Sequence, residues 1–182
     1  RVGIGGTPNT NWRNDIADQE VLMLGTEATF YSDSGVTTEL FNNAYINNSD
    51  TIVNISTRGA SRYYQYQGAH KWYTAASASA GSNVNTELAT TPKMTLDVSG
   101  NLGIGTSSPS SILHIEGNTN AYSTAPILYF GSTSTTNAAI RDWAIGPADD
   151  SYGNFHIFRG TSTGSNPIGN DGRVVTISSS GS

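Results

Sequence analysis

The sequence predicts a mainly β fold in which two tandem, small, sandwich-like β-rich units are joined by a Gly-rich hairpin. Short runs of alternating apolar and polar residues recur along the chain, and clusters of Gly, Asn, Asp and Ser separate them. No long stretch keeps the 3.6-residue apolar period of an amphipathic helix. A Gly-rich motif also occurs twice, which indicates a repeated architecture.

The repeated motif divides the chain into two units, residues 1–100 and 101–182. Val2-Gly3-Ile4-Gly5 recurs as Leu102-Gly103-Ile104-Gly105, and Thr and Pro follow both copies. The segment 94–100 aligns with 175–181, and both end in Ser-Gly. Each unit therefore opens with a Gly-Ile-Gly strand and closes with an alternating strand, as expected for a linear array of repeats.

Four further segments show the clearest strand patterns, and turn residues bound each of them. These segments are 20–24, 51–55, 127–130 and 154–158. The Ala-rich run 75–80 is interrupted by Ser and followed by Gly, so we expect a loop there rather than a helix.

The residues at the junction between the two units predict its local structure. Met94, Leu96 and Val98 alternate with polar residues, which is the pattern of a half-buried strand. A Ser-Gly-Asn turn follows, and the bare Gly positions beyond it imply close approach of another backbone. That neighbour is either a second chain near a trimer axis or a bend of the same chain. The predicted junction residues are Gly3, Gly5, Gly100, Gly103, Ile104, Gly105 and Pro109.

Composition restricts the classes of function. Apolar residues make up only 36% of the 182 residues, yet nine Tyr, five Phe and three Trp argue against disorder. So few apolar residues give a single chain only a small core, which favours the burial of apolar surface between chains. The net charge of -5 argues against nucleic-acid binding, and no apolar run is long enough to predict membrane insertion. The absence of Cys excludes disulfides, and the start at Arg1 suggests a segment of a longer protein.

Motifs that could indicate nucleotide binding, metal binding or catalysis are better explained as structural elements. The Gly-Ile-Gly segments lack the helix and the Lys of a nucleotide-binding loop, since Pro follows them. His114 and Glu116 share a strand face but have no third metal ligand nearby, and the acidic turns 149–150 and 170–172 lack the spacing of a calcium loop. We therefore expect no catalytic residue, no metal and no cofactor. Two carboxylates suffice for a glycosidase, so polysaccharide cleavage stays an alternative.

The segment 62–73 is the main candidate for ligand contact. Arg62, Tyr63, Tyr64 and Tyr66 combine rings with a cation, and such groups suit glycans by stacking and hydrogen bonding. Tyr64 and Tyr66 are expected to form one aromatic face with Trp72 beyond the turn. The alternative is that these aromatics fill the core or a trimer interface, with Trp72 as a core residue. Trp12, Trp143, Tyr152 and Phe155 allow the same two interpretations.

Residues 100–117, GNLGIGTSSPSSILHIEG, resemble the GNVGIGTTSP-type junction repeats of phage tail-fibre and tail-spike proteins. The stretch 41–100, which includes GASRYYQYQGAHKWYTAAS, and the segment 140–146 resemble the globular units of that family. In those proteins the junction often precedes an intramolecular chaperone. No segment here matches the chaperone, so no protease residues are assigned.

The resemblance implies a non-enzymatic structural segment of a homotrimeric fibre that contributes to attachment to the bacterial surface. The implied partners are two further copies of the chain, other fibre or tail proteins, and a surface glycan or lipopolysaccharide. The implied location is the extracellular virion tail, after assembly in the host cytoplasm. Alternatives are a polysaccharide-degrading tail spike, a shaft spacer without ligand, and a bacterial surface fibre.

Overall fold

The computed structural model describes residues 2–4, 19–33, 36–117, 125–131, 141–147, 154–160, 167 and 173–178. The chain divides into two compact units, residues 1–114 and 115–182. Most of the described residues belong to strands, which confirms the mainly β class. A single turn of π-helix, Thr86–Thr90, is the only helical element among the described residues.

The strands follow the chain in order. In the first part of the chain they are β1 (Val2–Ile4), β2 (Gln19–Leu24), β3 (Ala28–Asp33), β4 (Thr37–Asn42), β5 (Ala44–Ile46), β6 (Ile52–Asn54), β7 (Arg58–Tyr66) and β8 (Ala69–Ala78). They continue as β9 (Met94–Leu96), β10 (Leu102–Ile104), β11 (Leu113–Ile115), β12 (Leu128–Phe130), β13 (Trp143–Pro147), β14 (Phe155–Arg159) and β15 (Arg173–Ile177).

These strands form three sheets. A nine-stranded sheet has the order β1-β2-β3-β4-β7-β8-β9-β10-β11, a four-stranded sheet has the order β12-β13-β14-β15, and β5 pairs with β6. Nearly all sequential neighbours are antiparallel, whereas β1 pairs with β2 in parallel. The sheets therefore come mainly from local hairpins.

The predicted strands 20–24, 51–55, 127–130 and 154–158 are present as β2, β6, β12 and β14, with small shifts at their ends. The prediction of a loop at 75–80 is wrong, because β8 continues through Ala78. Ala75 pairs with Ala60 and Ala78 pairs with Arg58, with a register shift between these two pairs. Cross-strand hydrogen bonding to β7 thus overrides the low strand propensity of the Ala-Ser sequence.

One face of the nine-stranded sheet carries the core of the first unit. Val21, Met23, Tyr31, Phe41 and Tyr73 are buried on this face. The β5–β6 hairpin and the segment around the π-helix supply the other side of the same cluster, with Tyr45, Ile52, Val53, Val84 and Leu88. The chain itself therefore covers this face of the sheet.

The opposite face of the same sheet carries a continuous apolar row. Register pairing aligns one residue from each of seven neighbouring strands: Leu22, Phe30, Leu40, Tyr63, Trp72, Met94 and Ile104. Phe30 is 44% exposed and Leu40 is 43% exposed. We call these seven residues the apolar row. On β9, the alternation predicted from the sequence is present, but Thr95 is the buried residue and Met94 is only half-buried.

The second unit shows a related pattern in its four-stranded sheet. Ala144, His156 and Phe158 are buried on one face. Leu128, Ile145, Ile157 and Val175 align across the four strands on the other face, and Leu128 and Val175 are exposed. Each unit thus presents apolar side chains on the less buried face of its sheet.

Candidate functional site

The Tyr-rich segment forms the β7–β8 hairpin. Tyr66 pairs with Ala69, which leaves Gln67 and Gly68 as a two-residue turn. Both turn residues have positive φ angles, 48° and 84°, as tight hairpin turns of this kind require. The turn fixes the register of every aromatic pair along the hairpin.

The register separates the four candidate contact residues. Tyr63 lies opposite Trp72, and their ring centroids are 5.1 Å apart. Arg62, Tyr64 and Tyr66 alternate with Tyr63 and therefore point to the other face of the strand. The expectation that Trp72 joins Tyr64 and Tyr66 in one aromatic face is wrong, because the two-residue turn places Lys71 opposite Tyr64.

Arg62 is a buried structural cation. Its Nε donates to the Glu39 Oε2 at 2.8 Å, and its Nη1 donates to the backbone carbonyl of Leu88 at 2.8 Å. The side chains of Arg62 and Glu39 are 9% and 3% exposed. The guanidinium carbon also lies 4.2 Å from the ring centroid of Tyr64. This geometry supports a structural role for Arg62, which is too buried to belong to the candidate contact surface.

Tyr64 belongs with Arg62 in this packed layer. Burial raises the pKa of the Tyr64 hydroxyl, while the Arg62 charge acts in the opposite direction. The same two causes act on Tyr73, whose pKa is also raised. Tyr64 is half-buried, and its ring stacks on that of Tyr66 with centroids 6.0 Å apart. Tyr64 therefore supports the more exposed ring beyond it.

Tyr66 lies at the turn end of the hairpin and borders a cleft. The Tyr66 side chain is 38% exposed. The cleft has a volume of about 300 Å³, and its lining includes Ser32, Thr38, Gln65, Tyr66, Gln67 and His70. Ser32, Thr38, Gln65 and His70 are in register on one face of the sheet, whereas Tyr66 alternates with Gln65 and borders the cleft from the other face of β7. The hydroxyl, amide and imidazole groups can form hydrogen bonds with sugar hydroxyls, and an exposed ring at the border offers a surface for the C–H face of a sugar. We call this cavity the turn cleft.

Tyr63 connects the turn cleft with the apolar row. The Tyr63 hydroxyl shares a hydrogen bond with Nδ1 of His70 and accepts one from Nε2 of Gln65 at 3.0 Å. The imidazole of His70 stacks on the rings of Tyr63 and Trp72. Tyr63 is half-buried, so it orients the cleft residues Gln65 and His70 rather than lining the cleft itself.

The junction residues lie on β10 and its flanking turns. Gly103 is buried on the core side of the sheet, opposite Thr95. A Cβ at Gly103 would lie 2.9 Å from Thr106 Cγ2, 2.9 Å from the Thr106 carbonyl oxygen and 3.4 Å from Pro109 Cβ. Within one chain, the close neighbours of Gly103 are therefore Thr106 and Pro109, and the approach of a second chain to this glycine stays a prediction.

The other predicted junction residues have separate roles. Gly100 and Gly105 take positive φ angles of 84° and 79°, which favour glycine. Ile104 is the last member of the apolar row, and Gly3 pairs with Met23 in β1. Gly5 lies outside the described residues. β9 and β10 form a hairpin around residues 100 and 101, so the predicted repeat boundary falls inside the nine-stranded sheet, and the repeat itself stays a prediction.

The other sequence candidates do not assemble into a reactive site in the described part of the chain. No group of three or more His, Cys, Asp or Glu with metal-binding geometry occurs among the residues described. His114 Nδ1 accepts a hydrogen bond from the Ser110 backbone N–H at 3.3 Å. Trp143 and Phe155 are exposed on the second sheet. The described ranges leave out Trp12, Tyr152 and the acidic turns 149–150 and 170–172.

Sequence reasoning missed several residues of the turn cleft. Ser32 and Thr38 come from β3 and β4, which lie beside the hairpin in the sheet but far from it in sequence. The signal that would have revealed them is the strand order, because Thr38 pairs with Gln65 and with Ser32. Glu39, the partner of Arg62, follows from the same order.

No protein-family model matches the chain, and no curated protein matches it. No helix in the described ranges is long and apolar enough to cross a bilayer.

Proposed function

We propose that this chain is a structural, non-enzymatic segment of a trimeric viral tail fibre and contributes to attachment to the bacterial host surface by binding a glycan. In this proposal its two sandwich-like β-rich units, joined by a Gly-rich hairpin, are intertwined as a homotrimer on the extracellular part of the virion. Its partners are then the other two copies, further fibre or tail proteins, and a surface polysaccharide or lipopolysaccharide.

The observation that carries the glycan part is the turn cleft. Thr38, Gln65 and His70 line this cavity with hydrogen-bonding groups from one face of the sheet, and Tyr66, which comes from the other face of β7, offers an exposed ring at its border. The ring of Tyr64 stacks behind Tyr66, so the exposed ring is already held in place before a ligand arrives. Fixing a contact residue in advance lowers the entropy lost on binding.

Repetition would compensate for the small size of each cleft. A cavity of about 300 Å³ has room for one or two sugar rings and provides only a weak single-site affinity. Three copies in one fibre present three clefts, and linked sites raise the overall affinity by roughly 10²–10⁴-fold when the ligand repeats as a polysaccharide does. A trimeric fibre is therefore a suitable carrier for this site.

The proposal is tested with the purified chain on an array of bacterial capsule polysaccharides and lipopolysaccharides. We expect retention on at least one of them without release of new reducing ends. The Tyr66→Ala and Gln65→Ala variants should each lose most of this retention, whereas Ile112→Ala, at a residue that is 82% exposed outside the cleft, should bind as the parent chain does. Release of reducing ends would favour a polysaccharide-degrading spike. Neither retention nor turnover would favour a spacer.

A further inference from the structure

We infer that the apolar row is the surface through which copies of this chain pack against one another. The inference deepens the proposed fibre function, because it names the interface of the proposed trimer. The row consists of Leu22, Phe30, Leu40, Tyr63, Trp72, Met94 and Ile104, which register pairing places on one face of the nine-stranded sheet.

The alternation of burial along the strands is the first argument. On β3, Thr29 is buried while Phe30 is exposed, and on β4, Glu39 is buried while Leu40 is exposed. The chain thus places a polar and a charged residue inside and their large apolar neighbours outside. Isolated exposed apolar residues are common, but a continuous row along one sheet face is typical of an interaction surface.

The elements of this unit that pack on the sheet lie on its other face, so they do not cover the row. Phe41, Ala60 and Tyr73 on that face already pack against Tyr45, Val53 and Leu88 of the same unit. The row therefore has to be covered from outside this layer. A comparable row on the second sheet, formed by Leu128, Ile145, Ile157 and Val175, shows that the arrangement is not an accident of one hairpin.

The size of the surface suits a stable interface between chains. Seven strands at about 4.8 Å spacing give the row a length of about 29 Å, and one flanking residue on each side gives a width of about 20 Å. The projected area is then about 600 Å², which compares with the roughly 800 Å² that each partner buries in a standard interface.

The chemistry of the surface identifies the occupant as another copy. The row has three aromatic side chains and a Met. The flanking positions Asn42, Ser61, Thr38 and Gln65 are polar and uncharged, and the last two also line the turn cleft, which adjoins the row on that side. An apolar centre with a polar rim is the usual anatomy of a protein interface, and interfaces between identical chains are the more apolar class. A row without charge selects an equally apolar partner, and the same row on a second copy meets that requirement.

The absence of Cys from the chain allows a direct test of coverage. Leu40→Cys and Ile112→Cys each introduce a single thiol, at side chains that are 43% and 82% exposed in one chain. We measure the rate of modification by maleimide coupled to polyethylene glycol, on the full chain at a concentration where light scattering shows its mass. If copies cover the row, the Leu40→Cys variant should react at least about tenfold more slowly than the Ile112→Cys variant, because access then requires chain separation. In denaturant, the two rates should become equal.

A second pair of variants tests the same surface by disruption. Phe30→Glu combined with Leu40→Glu should convert a mass near three times 19.2 kDa to that of one chain, whereas Ile112→Glu should leave the larger mass unchanged. Far-UV circular dichroism checks that the β-structure is retained. If the double variant is unfolded, the thiol reactivity of the Leu40→Cys variant decides the question.

The two proposals fail in distinguishable ways. A trimeric chain in which the Leu40→Cys thiol reacts as fast as the Ile112→Cys thiol would overturn the inference about the row and leave the trimer intact. A parent chain that stays monomeric at micromolar concentration would overturn both the trimer and its interface. Loss of glycan retention in an intact trimer concerns the turn cleft alone.

Discussion

Tyr63 and Trp72 stand directly opposite each other on β7 and β8, with ring centroids 5.1 Å apart and ring planes tilted by 36°. Both belong to the apolar row, and the hydroxyl of Tyr63 bonds to His70, which lines the turn cleft. The proposed interface and the proposed glycan site are therefore neighbours in the same hairpin. Assembly of the fibre would fix the side of the cleft on which His70 lies.

Breaking the buried ion pair between Arg62 and Glu39 should strongly destabilise the first unit. Glu39→Gln leaves the Arg62 charge buried with a neutral partner, and removing one member of a buried pair typically costs about 3–5 kcal/mol. Urea denaturation monitored by circular dichroism measures the loss. The matched control is the ion pair between Arg58 and Glu27, at 3.1 Å, in which Arg58 is largely exposed. Arg58→Ala should cost at most about 1 kcal/mol, and equal losses at the two pairs would contradict the structural role of Arg62.

The close approach at Gly103 predicts a specific cost for adding a methyl group. Gly103→Ala places Cβ 2.9 Å from the Thr106 carbonyl oxygen, and a backbone atom has little freedom to move away. We expect a loss of roughly 1–3 kcal/mol in the free energy of unfolding. Gly59→Ala is the comparison, because its Cβ would meet the Ala75 carbonyl oxygen at the longer distance of 3.1 Å. A Gly103 variant as stable as the parent would show that the Thr106 loop is free to shift.

The acidic turn before β10 predicts a dependence of stability on pH. The backbone N–H of Asn101 donates to the Asp97 carboxylate at 2.9 Å, and this bond holds the Asp97 pKa below its ordinary value. A carboxyl with a lower pKa in the folded chain adds stability above its unfolded pKa, and this stability is lost as the pH falls through the folded-state pKa. The melting temperature of the parent chain should thus fall toward that of Asp97→Ala below about pH 4. A difference between the two that stays constant from pH 7 to pH 2 would contradict this role.

The alternation of apolar and polar residues along single strands was predictable from sequence. Which of the two alternating sets is buried was not. Met94 and Leu96 do alternate with Thr95, but Thr95 is the residue that the chain buries. Periodicity shows which residues share a face, and it cannot show which face the rest of the chain covers. The sequence predicted β6 as a strand, but nothing in its pattern showed that the β5–β6 hairpin and the π-helix turn cover one face of the large sheet. The choice of face therefore depended on tertiary packing.

The candidate contact residues predicted from the sequence lie on one hairpin but on both of its faces, and their contact with a ligand stays a prediction. Tyr63 and Trp72 were separated in the prediction because their pairing depends on the two-residue turn at Gln67 and Gly68. The sequence indicated a turn before Trp72, but Gln is an unusual residue for a positive φ, so the two-residue length of the turn was not evident. A register shift of one residue moves every side chain of a strand to the opposite face, and this explains the misplaced Trp72. The burial of Arg62 has another cause, because it depends on Glu39 and Leu88, which cover that face of β7.

Tyr64 and Tyr66, which the sequence grouped together, should respond differently to truncation. Tyr64→Ala removes a half-buried ring that lies 4.2 Å from the Arg62 guanidinium carbon, so both packing and a cation–π contact are lost. We expect a destabilisation of roughly 1–3 kcal/mol, less than the roughly 3–5 kcal/mol typical of a fully buried ring. Tyr66→Ala removes an exposed ring and should change the free energy of unfolding by no more than about 0.5 kcal/mol.

Glycan retention should separate these two variants in the opposite order. Tyr66→Ala is expected to melt with the parent chain and to lose retention, because the ring at the turn cleft is absent. Tyr64→Ala is expected to melt earlier and, at a temperature where it is fully folded, to keep more retention than Tyr66→Ala. Tyr64→Phe is the control for the hydroxyl, since it keeps the ring beside Arg62. If Tyr66→Ala instead melts early and binds normally while folded, the ring is part of the scaffold and the glycan contact lies elsewhere on the chain.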